Sequence, residues 1–167
     1  MTTTGRRPTL EEEPAVHEPI EREISIDAPV DVVWRTVTEP EEISRWFAHE
    51  VDLVAEPGYE GSLTFVNENT ERATTFNVTV QSVDPERTFS YRWLHDTGDE
   101  PRDGNSVLVV FTLTPEGDGT RLRVVETGVE RMAWPADERD RYVREHLEGW
   151  STFLGRLRSY APRSAAR

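Results

Sequence analysis

The sequence predicts an α+β fold in which a curved antiparallel sheet wraps around one long C-terminal helix. Between Val51 and Val129 the hydrophobic residues recur with a period of two, in six segments separated by turn residues but by no helix. The last segment, Ala136–Tyr160, recurs with the helical period instead, and it is the predicted helix that is long enough to cover such a sheet. One strand and two short helices precede these segments, which makes about seven strands in all.

The N-terminal part of the predicted domain contains this first strand and the two short helices. In residues 21–27 polar and apolar side chains alternate, as they do in a half-buried strand. Pro29 suits the first position of a helix, and the apolar residues that follow it recur every three or four positions. Pro40 ends that helix and begins a second short one, which carries Trp46 and Phe47.

Six further strands are predicted to form an antiparallel meander. Turn sequences such as Pro57-Gly58 and Asp84-Pro85 separate them, and antiparallel neighbours need only such short connections. The predicted strands are Val51–Ala55, Gly61–Asn67, Arg72–Val83, Thr88–His95, Ser106–Thr114 and Thr120–Val129.

The long C-terminal helix is predicted to be amphipathic. Asp137 and Glu138 suit the positive end of its dipole. Its apolar stripe is Val143, Leu147, Trp150, Leu154 and Leu157, flanked by Tyr142, His146, Phe153 and Tyr160.

Length and composition indicate one globular domain. The chain has 167 residues, of which 35% are hydrophobic and 31% charged. Residues 1–20 contain three prolines and a run of three glutamates, so we expect a disordered leader there, a single domain over residues 21–160 and a flexible tail over 161–167. Because we find no signal-like or membrane-spanning hydrophobic segment, we expect a cytoplasmic protein.

The charge and the residue types exclude several classes of function. The 32 acidic residues outnumber 19 basic ones, all of them arginine, and the net charge of −13 argues against binding to nucleic acid or to anionic membranes. Without cysteine there is no thiol chemistry, and the four histidines lack the spacing of metal ligands. Phosphate-binding and dinucleotide-binding motifs are missing as well. We therefore predict no metal and no cofactor.

Inward-facing aromatic residues are predicted to line a binding cavity, because a curved sheet around one helix leaves space at one end. Strand parity places Tyr91, Trp93 and His95 on one face, although plain core packing of the aromatic residues is the alternative explanation. We expect His95 to be an ordinary strand-end residue and His146 a boundary residue of the helix. The predicted ligand-binding residues are Trp46, Phe47, Phe65, Phe76, Tyr91, Trp93, Glu126 and Trp150.

Glu126 is the most informative of these residues. It is in phase with Leu122 and Val124, so its carboxylate should point inward, where it must be paired, hydrated or protonated. One interpretation is a polar anchor or a general acid/base inside an apolar cavity, which makes it a weak candidate for a catalytic residue. The alternatives are an ion pair with Arg92 or Arg45 and a turn to solvent at the strand end.

Several motifs, in their order and spacing, resemble a known family. The opening ones are the Ile26–Trp34 run, Thr38-Glu39-Pro40 and Arg45-Trp46-Phe47. The later ones are Val83-Asp84-Pro85 followed by Tyr91-Arg92-Trp93, then Gly119–Leu122, and then Glu148–Leu154. Together they resemble the family named after the activator of the ninety-kilodalton heat-shock protein's ATPase, over about residues 21–160. The resemblance implies the helix-grip fold of the SRPBCC superfamily, which START domains and the birch pollen allergen share, with a deep apolar cavity between sheet and helix. It does not imply one reaction.

Three functions follow as hypotheses. The favoured one is a domain that binds a small hydrophobic or amphipathic ligand without catalysis, as a monomer or homodimer. The first alternative is a co-chaperone-like activator of the chaperone ATPase or another protein-interaction role. The second is a cyclase- or hydratase-type enzyme that uses Glu126.

Overall fold

A computed structural model of the chain describes residues 19–165, so the predicted leader lies, but for its last two residues, outside the described residues. The α+β fold is confirmed: seven antiparallel strands form one curved sheet, and two short helices follow the first strand. The elements are β1 (Ile20–Ile26), α1 (Val30–Thr38), α2 (Pro40–Ile43), β2 (Glu50–Asp52), β3 (Glu60–Asn67), β4 (Arg72–Asp84), β5 (Thr88–Trp93), β6 (Val107–Glu116), β7 (Gly119–Thr127), a 3-10 turn (Val129–Arg131) and α3 (Ala136–Ala165).

The sheet has the strand order β1-β7-β6-β5-β4-β3-β2. Strands β2 to β7 form the predicted meander, and β1 joins it at the far edge by pairing with β7 from Ile20↔Glu126 to Ile26↔Thr120. The register is unbroken on both sides of β7, and its alternation therefore places every second side chain, from Leu122 to Glu126, on the inner face.

The C-terminal half of α3 packs into the core of the sheet. Leu154, Leu157 and Ala161 are fully buried there. The helix runs five residues beyond the predicted end at Tyr160, because its last turn is held by α2: the Tyr160 hydroxyl donates to Glu42 Oε1 at 2.7 Å, and the Ser164 hydroxyl donates to the same atom at 3.3 Å. Hydrophobic periodicity reports only on neighbouring residues, so it cannot predict a partner that is 118 residues away in sequence.

The N-terminal half of α3 is less buried than the C-terminal half. No residue of 136–149 is buried, and the first buried residue of the helix is Trp150. This half contacts β7 but leaves space between itself and strands β3 to β5, which is where the candidate site lies.

Two strands end earlier than predicted for a backbone reason. β5 stops at Trp93 because Leu94 adopts a φ of +81°, and β7 stops at Thr127 because Gly128 adopts a φ of +107° and leads into the 3-10 turn. The break at Leu94 turns His95 away from the face that strand parity predicts for it.

Candidate ligand cavity and its buried carboxylate

A cavity of about 490 Å³ lies between the N-terminal half of α3 and strands β3 to β5. Its walls are mainly aromatic, and its charged residues are contributed by α3. It is lined by Phe47, Phe65, Phe76, Trp93, Leu94, Trp134, Glu138, Arg141, Tyr142, Glu145, His146, Gly149, Trp150 and Phe153.

Five of the eight sequence-predicted site residues line this cavity, namely Phe47, Phe65, Phe76, Trp93 and Trp150. Their rings form a continuous array: Phe47 stacks on Trp150 at 5.2 Å between centroids, and Phe76 lies 5.7 Å from Trp93. These residues come from β3, β4, β5, α3 and the segment after α2, and only the folded chain brings them together.

Trp46 and Tyr91 do not line the cavity. They border a void of about 10 Å³ deeper in the core, which is at the lower limit for a single water molecule. The Trp46 indole donates to the Thr36 carbonyl at 2.7 Å, so it is a packed core residue. Within residues 19–165 the buried Tyr91 hydroxyl has no hydrogen-bond partner.

Glu126 lies behind the cavity wall, with 1% of its surface exposed. Its carboxylate accepts four hydrogen bonds. Oε1 accepts from His146 Nδ1 at 2.9 Å and from Trp150 Nε1 at 3.0 Å. Oε2 accepts from Trp93 Nε1 at 3.2 Å and from the Tyr142 hydroxyl. The indole N–H groups of Trp93 and Trp150 can only donate, and they do so to one carboxylate oxygen each, which favours the ionised form of Glu126 that accepts at both oxygens.

The inward direction of Glu126 therefore agrees with the prediction from strand phase, whereas the alternative of an arginine partner is wrong. Arg92 instead binds Asp103 at 3.2 Å, and Arg45 is exposed. The turn to solvent is wrong as well, because β7 continues in register through Glu126.

Sequence reasoning did not assign Tyr142 and His146 to the site. With Trp150 they are spaced four residues apart on one face of α3, directly over Glu126. The rings of Tyr142 and His146 stack at 3.7 Å, and Trp134 packs against Tyr142 at 5.2 Å. The spacing of these three residues can be read from the sequence, but their shared role depends on their acceptor, Glu126, which lies on β7.

The prediction from strand parity that His95 lies on the aromatic face is wrong. The positive φ of Leu94 breaks the alternation, so Leu94 reaches the cavity in its place. His95 hydrogen-bonds Thr79 at 3.0 Å, and Thr79 alternates with the inward-facing Val78 and Val80. Burial lowers the pKa of this histidine.

Two tyrosines beside Glu126 have strongly perturbed acidity. Burial, the charge of Glu126 and its hydrogen bond raise the pKa of Tyr142 well above the ordinary value, and burial followed by the same charge raises the pKa of Tyr91. Because the unfolded chain ionises at a lower pH than the folded one, these two groups stabilise the fold fully below about pH 10. That contribution is lost as the pH rises above this value.

We expect Tyr91 and Tyr142 to stay protonated until alkaline unfolding. Ultraviolet absorbance of phenolate should show them ionising together with the loss of near-ultraviolet circular dichroism, rather than along an ordinary curve centred near about pH 10. The Tyr142→Phe variant should lose part of this coincident step. Ionisation of both groups in the intact fold at an ordinary pKa would contradict the buried arrangement.

Within the described part of the chain no group of three histidine or acidic side chains is placed to hold a metal ion, and no helix has the length and hydrophobicity needed to span a bilayer. Most polar side chains of the cavity lining belong to α3, namely Glu138, Arg141, Tyr142, Glu145 and His146, and Trp134 adds an indole N–H.

The comparison with known families agrees with this geometry. The model of the family described as activator of Hsp90 ATPase homolog 1-like protein matches residues 27–161, which contain strands β2 to β7, the cavity and most of α3. The chain belongs to this family. The resemblance that the motifs indicated is thereby confirmed, and so is the helix-grip architecture that it implied.

Solved structures of similar fold include a protein from Mesorhizobium loti. It is 25% identical, has a TM-score of 0.69, and the match covers 87% of this chain and 98% of that one. A protein from Nitrosomonas europaea is 18% identical with a TM-score of 0.74, over 89% of this chain and 97% of that one. The Aha1 dimer from Colwellia psychrerythraea is 15% identical with a TM-score of 0.63, over 85% and 94%. The last two show likeness of fold alone, and no curated protein matches the chain by sequence.

Proposed function

We propose that this member of the family binds a small hydrophobic or amphipathic molecule in the cavity under α3. The observation that carries the proposal is the cavity itself. Its volume of about 490 Å³ lies within the range of roughly 300–1,000 Å³ that is typical of small-molecule sites, and aromatic walls with few polar groups are the usual lining of such sites.

Gly149 offers a direct test of the cavity. It lines the cavity from α3, and a Cβ atom added there would meet only Phe153 Cε2, at 4.0 Å. A Cβ atom therefore fits at this position, and we expect the ring of a Gly149→Phe variant to occupy the cavity. Gly155 lies on the exposed face of the same helix, where an added Cβ has no neighbour within 4 Å, so Gly155→Phe is the matched control.

We expect a panel of fatty acids, sterols and polycyclic aromatic compounds to contain a ligand that stabilises the wild-type protein and the Gly155→Phe variant. At a hundred times its dissociation constant, such a ligand should raise the midpoint of thermal unfolding by roughly 5–10 °C. Its affinity for the Gly149→Phe variant should be at least about tenfold lower. Both substitutions remove a helical glycine and should not lower stability by themselves.

Native mass spectrometry of the same mixtures gives the stoichiometry, which should be one ligand per chain. The proposal fails if no compound of the panel binds, or if the Gly149→Phe variant binds as tightly as its control.

An enzyme of the cyclase or hydratase type is the second candidate. The observation that favours it is the contact of Glu126 with two proton carriers, His146 Nδ1 at 2.9 Å and the Tyr142 hydroxyl, beside an apolar cavity. Prolonged incubation with a bound compound separates the two candidates, because a binding domain returns the compound unchanged and an enzyme alters its mass.

A co-chaperone role is expected to need an exposed apolar patch. Within residues 19–165 the large hydrophobic side chain that is exposed is Val54, so the described surface does not favour this role. Measuring the ATPase rate of the chaperone with and without this protein tests the co-chaperone role directly. The cytoplasmic location and the monomer or homodimer stay predictions, and size-exclusion chromatography with light scattering decides between the two oligomeric states.

A further inference from the structure

The hydrogen-bond network around Glu126 determines which nitrogen of His146 carries a proton. Trp93 and Trp150 can only donate to the carboxylate, and they occupy one site on each oxygen. An ionised carboxylate cannot donate, so the contact of 2.9 Å between Glu126 Oε1 and His146 Nδ1 requires the hydrogen to be on Nδ1. In the neutral ring, Nε2 then holds a lone pair and acts as an acceptor.

The orientation of the His146 ring is held on several sides. Tyr142 stacks on it at 3.7 Å, and Trp93 meets it edge-on at 6.0 Å. Nδ1 is directed at the buried carboxylate, so Nε2, on the other side of the ring, is directed away from Glu126, and the ring itself lines the cavity. No residue of 19–165 makes a hydrogen bond to Nε2.

The surroundings of Nε2 are apolar. Phe76, Trp93, Trp134 and Phe153 share the cavity with it. The phenylalanine rings carry no donor, the Trp93 indole already donates to Glu126, and the Trp134 indole makes no hydrogen bond to Nε2. The charged side chains Arg141 and Glu145 are exposed to solvent. A lone acceptor between aromatic walls is complementary to a molecule that is apolar over most of its surface and carries a hydrogen-bond donor.

We propose that His146 Nε2 is the polar contact of the ligand, and that the ligand class is an apolar, ring-containing molecule with one hydroxyl or N–H donor that points at this atom. Glu126 is the positioning residue, since it selects the tautomer of His146 without reaching the cavity. The inference rests on the proposed ligand-binding function and specifies it, because a site formed by aromatic walls alone would not distinguish a hydroxyl from its methyl ether.

Two probes of nearly equal shape test the preference, namely 2-naphthol and its methyl ether 2-methoxynaphthalene. Their dissociation constants are measured by calorimetry at pH 8, where an ordinary imidazole is neutral. For each protein the quantity of interest is the ratio of the two constants, which cancels effects on folding and on the apolar walls. Between the wild type and His146→Phe we expect this ratio to change by about tenfold in favour of the ether.

The tautomer is measured separately on the ligand-free wild-type protein, by nitrogen-15 NMR of the histidine side chains. The neutral His146 ring should show a protonated Nδ1 and an unprotonated Nε2, and the Glu126→Gln variant should show a larger share of the other tautomer. This measurement does not depend on whether any variant of His146 folds.

The outcomes separate the two proposals. A ratio that changes as described, with the Nδ1–H tautomer, supports the inference. Binding of both probes with a ratio that His146→Phe leaves unchanged overturns the inference alone, and so does a neutral ring protonated on Nε2. Binding of neither probe counts against the ligand-binding function itself and removes the inference with it.

Discussion

Replacement of Glu126 by leucine is expected to lower the free energy of unfolding by about 3–5 kcal/mol. The substitution leaves two indole N–H groups, the Tyr142 hydroxyl and His146 Nδ1 without their acceptor, and the side chain that replaces the carboxylate is itself completely buried. An unsatisfied buried donor costs about 1–3 kcal/mol, and partial relaxation keeps the sum below the total of four such losses. For a domain of this size the midpoint of thermal unfolding should fall by roughly 6–20 °C.

The control is a glutamate to leucine change on the outer surface. Glu23 is exposed and forms an ion pair of 3.4 Å with Arg121, an exposed pair of the kind that contributes about 0–1 kcal/mol. Urea denaturation of Glu126→Leu, Glu23→Leu and the wild type measures the difference. Equal stability of the two variants would contradict the role assigned to the carboxylate.

The network also predicts that the stability effects of Glu126→Leu and Tyr142→Phe are not additive. Tyr142→Phe removes a hydrogen bond in the wild-type protein, but in the Glu126→Leu background the same change removes a donor that already lacks its partner. The double variant should therefore be more stable than the sum of the two single effects predicts, as expected for residues in direct contact.

Trp46→Ala is expected to lower the free energy of unfolding much more than Phe76→Ala, although both residues belong to the same predicted aromatic set. Trp46 is 2% exposed, stacks on Phe47 and donates to the Thr36 carbonyl, so its truncation should lower the free energy of unfolding by about 3–5 kcal/mol. Phe76 is half-buried and already borders open space, so its truncation should cost about 1–2 kcal/mol.

The two variants should also differ in binding. Phe76→Ala enlarges the cavity and should shift the preference of the panel toward larger compounds, whereas Trp46→Ala should leave the preference unchanged at a temperature where the variant is folded. Thermal unfolding and native mass spectrometry give both quantities. A stability loss in Phe76→Ala as large as that in Trp46→Ala would show that Phe76 is a core residue and not part of a cavity wall.

Much of the fold follows from local rules. A period of two and the turn sequences are properties of neighbouring residues, and they were sufficient to predict seven strands and the long helix. The same parity predicted that Glu126 faces inward. The errors have two origins. The backbone of Leu94 takes up a positive φ, which a period of two does not predict and which redirects His95, and the distant helix α2 extends the last helix by holding Ser164.

The candidate site was only partly predictable for the same reason. Parity along β4 and β5 placed Phe76 and Trp93 on the inner face, but it could not separate cavity wall from packed core. That division depends on how far the N-terminal half of α3 stands from the sheet, which is a property of helix packing and not of strand period.

Alternation in a strand is a local constraint, so the phase of Glu126 with Leu122 and Val124 was enough to predict an inward carboxylate but not its partners. The tertiary structure alone decided what that carboxylate does. The rotation of α3 over β7 brings Tyr142, His146 and Trp150 onto Glu126, and no rule of spacing relates a strand residue to helix residues that pack against it from 16 to 24 positions away. The partners of Glu126 are aromatic and histidine side chains and not arginine, and the contact with Nδ1 fixes which nitrogen of His146 faces the carboxylate.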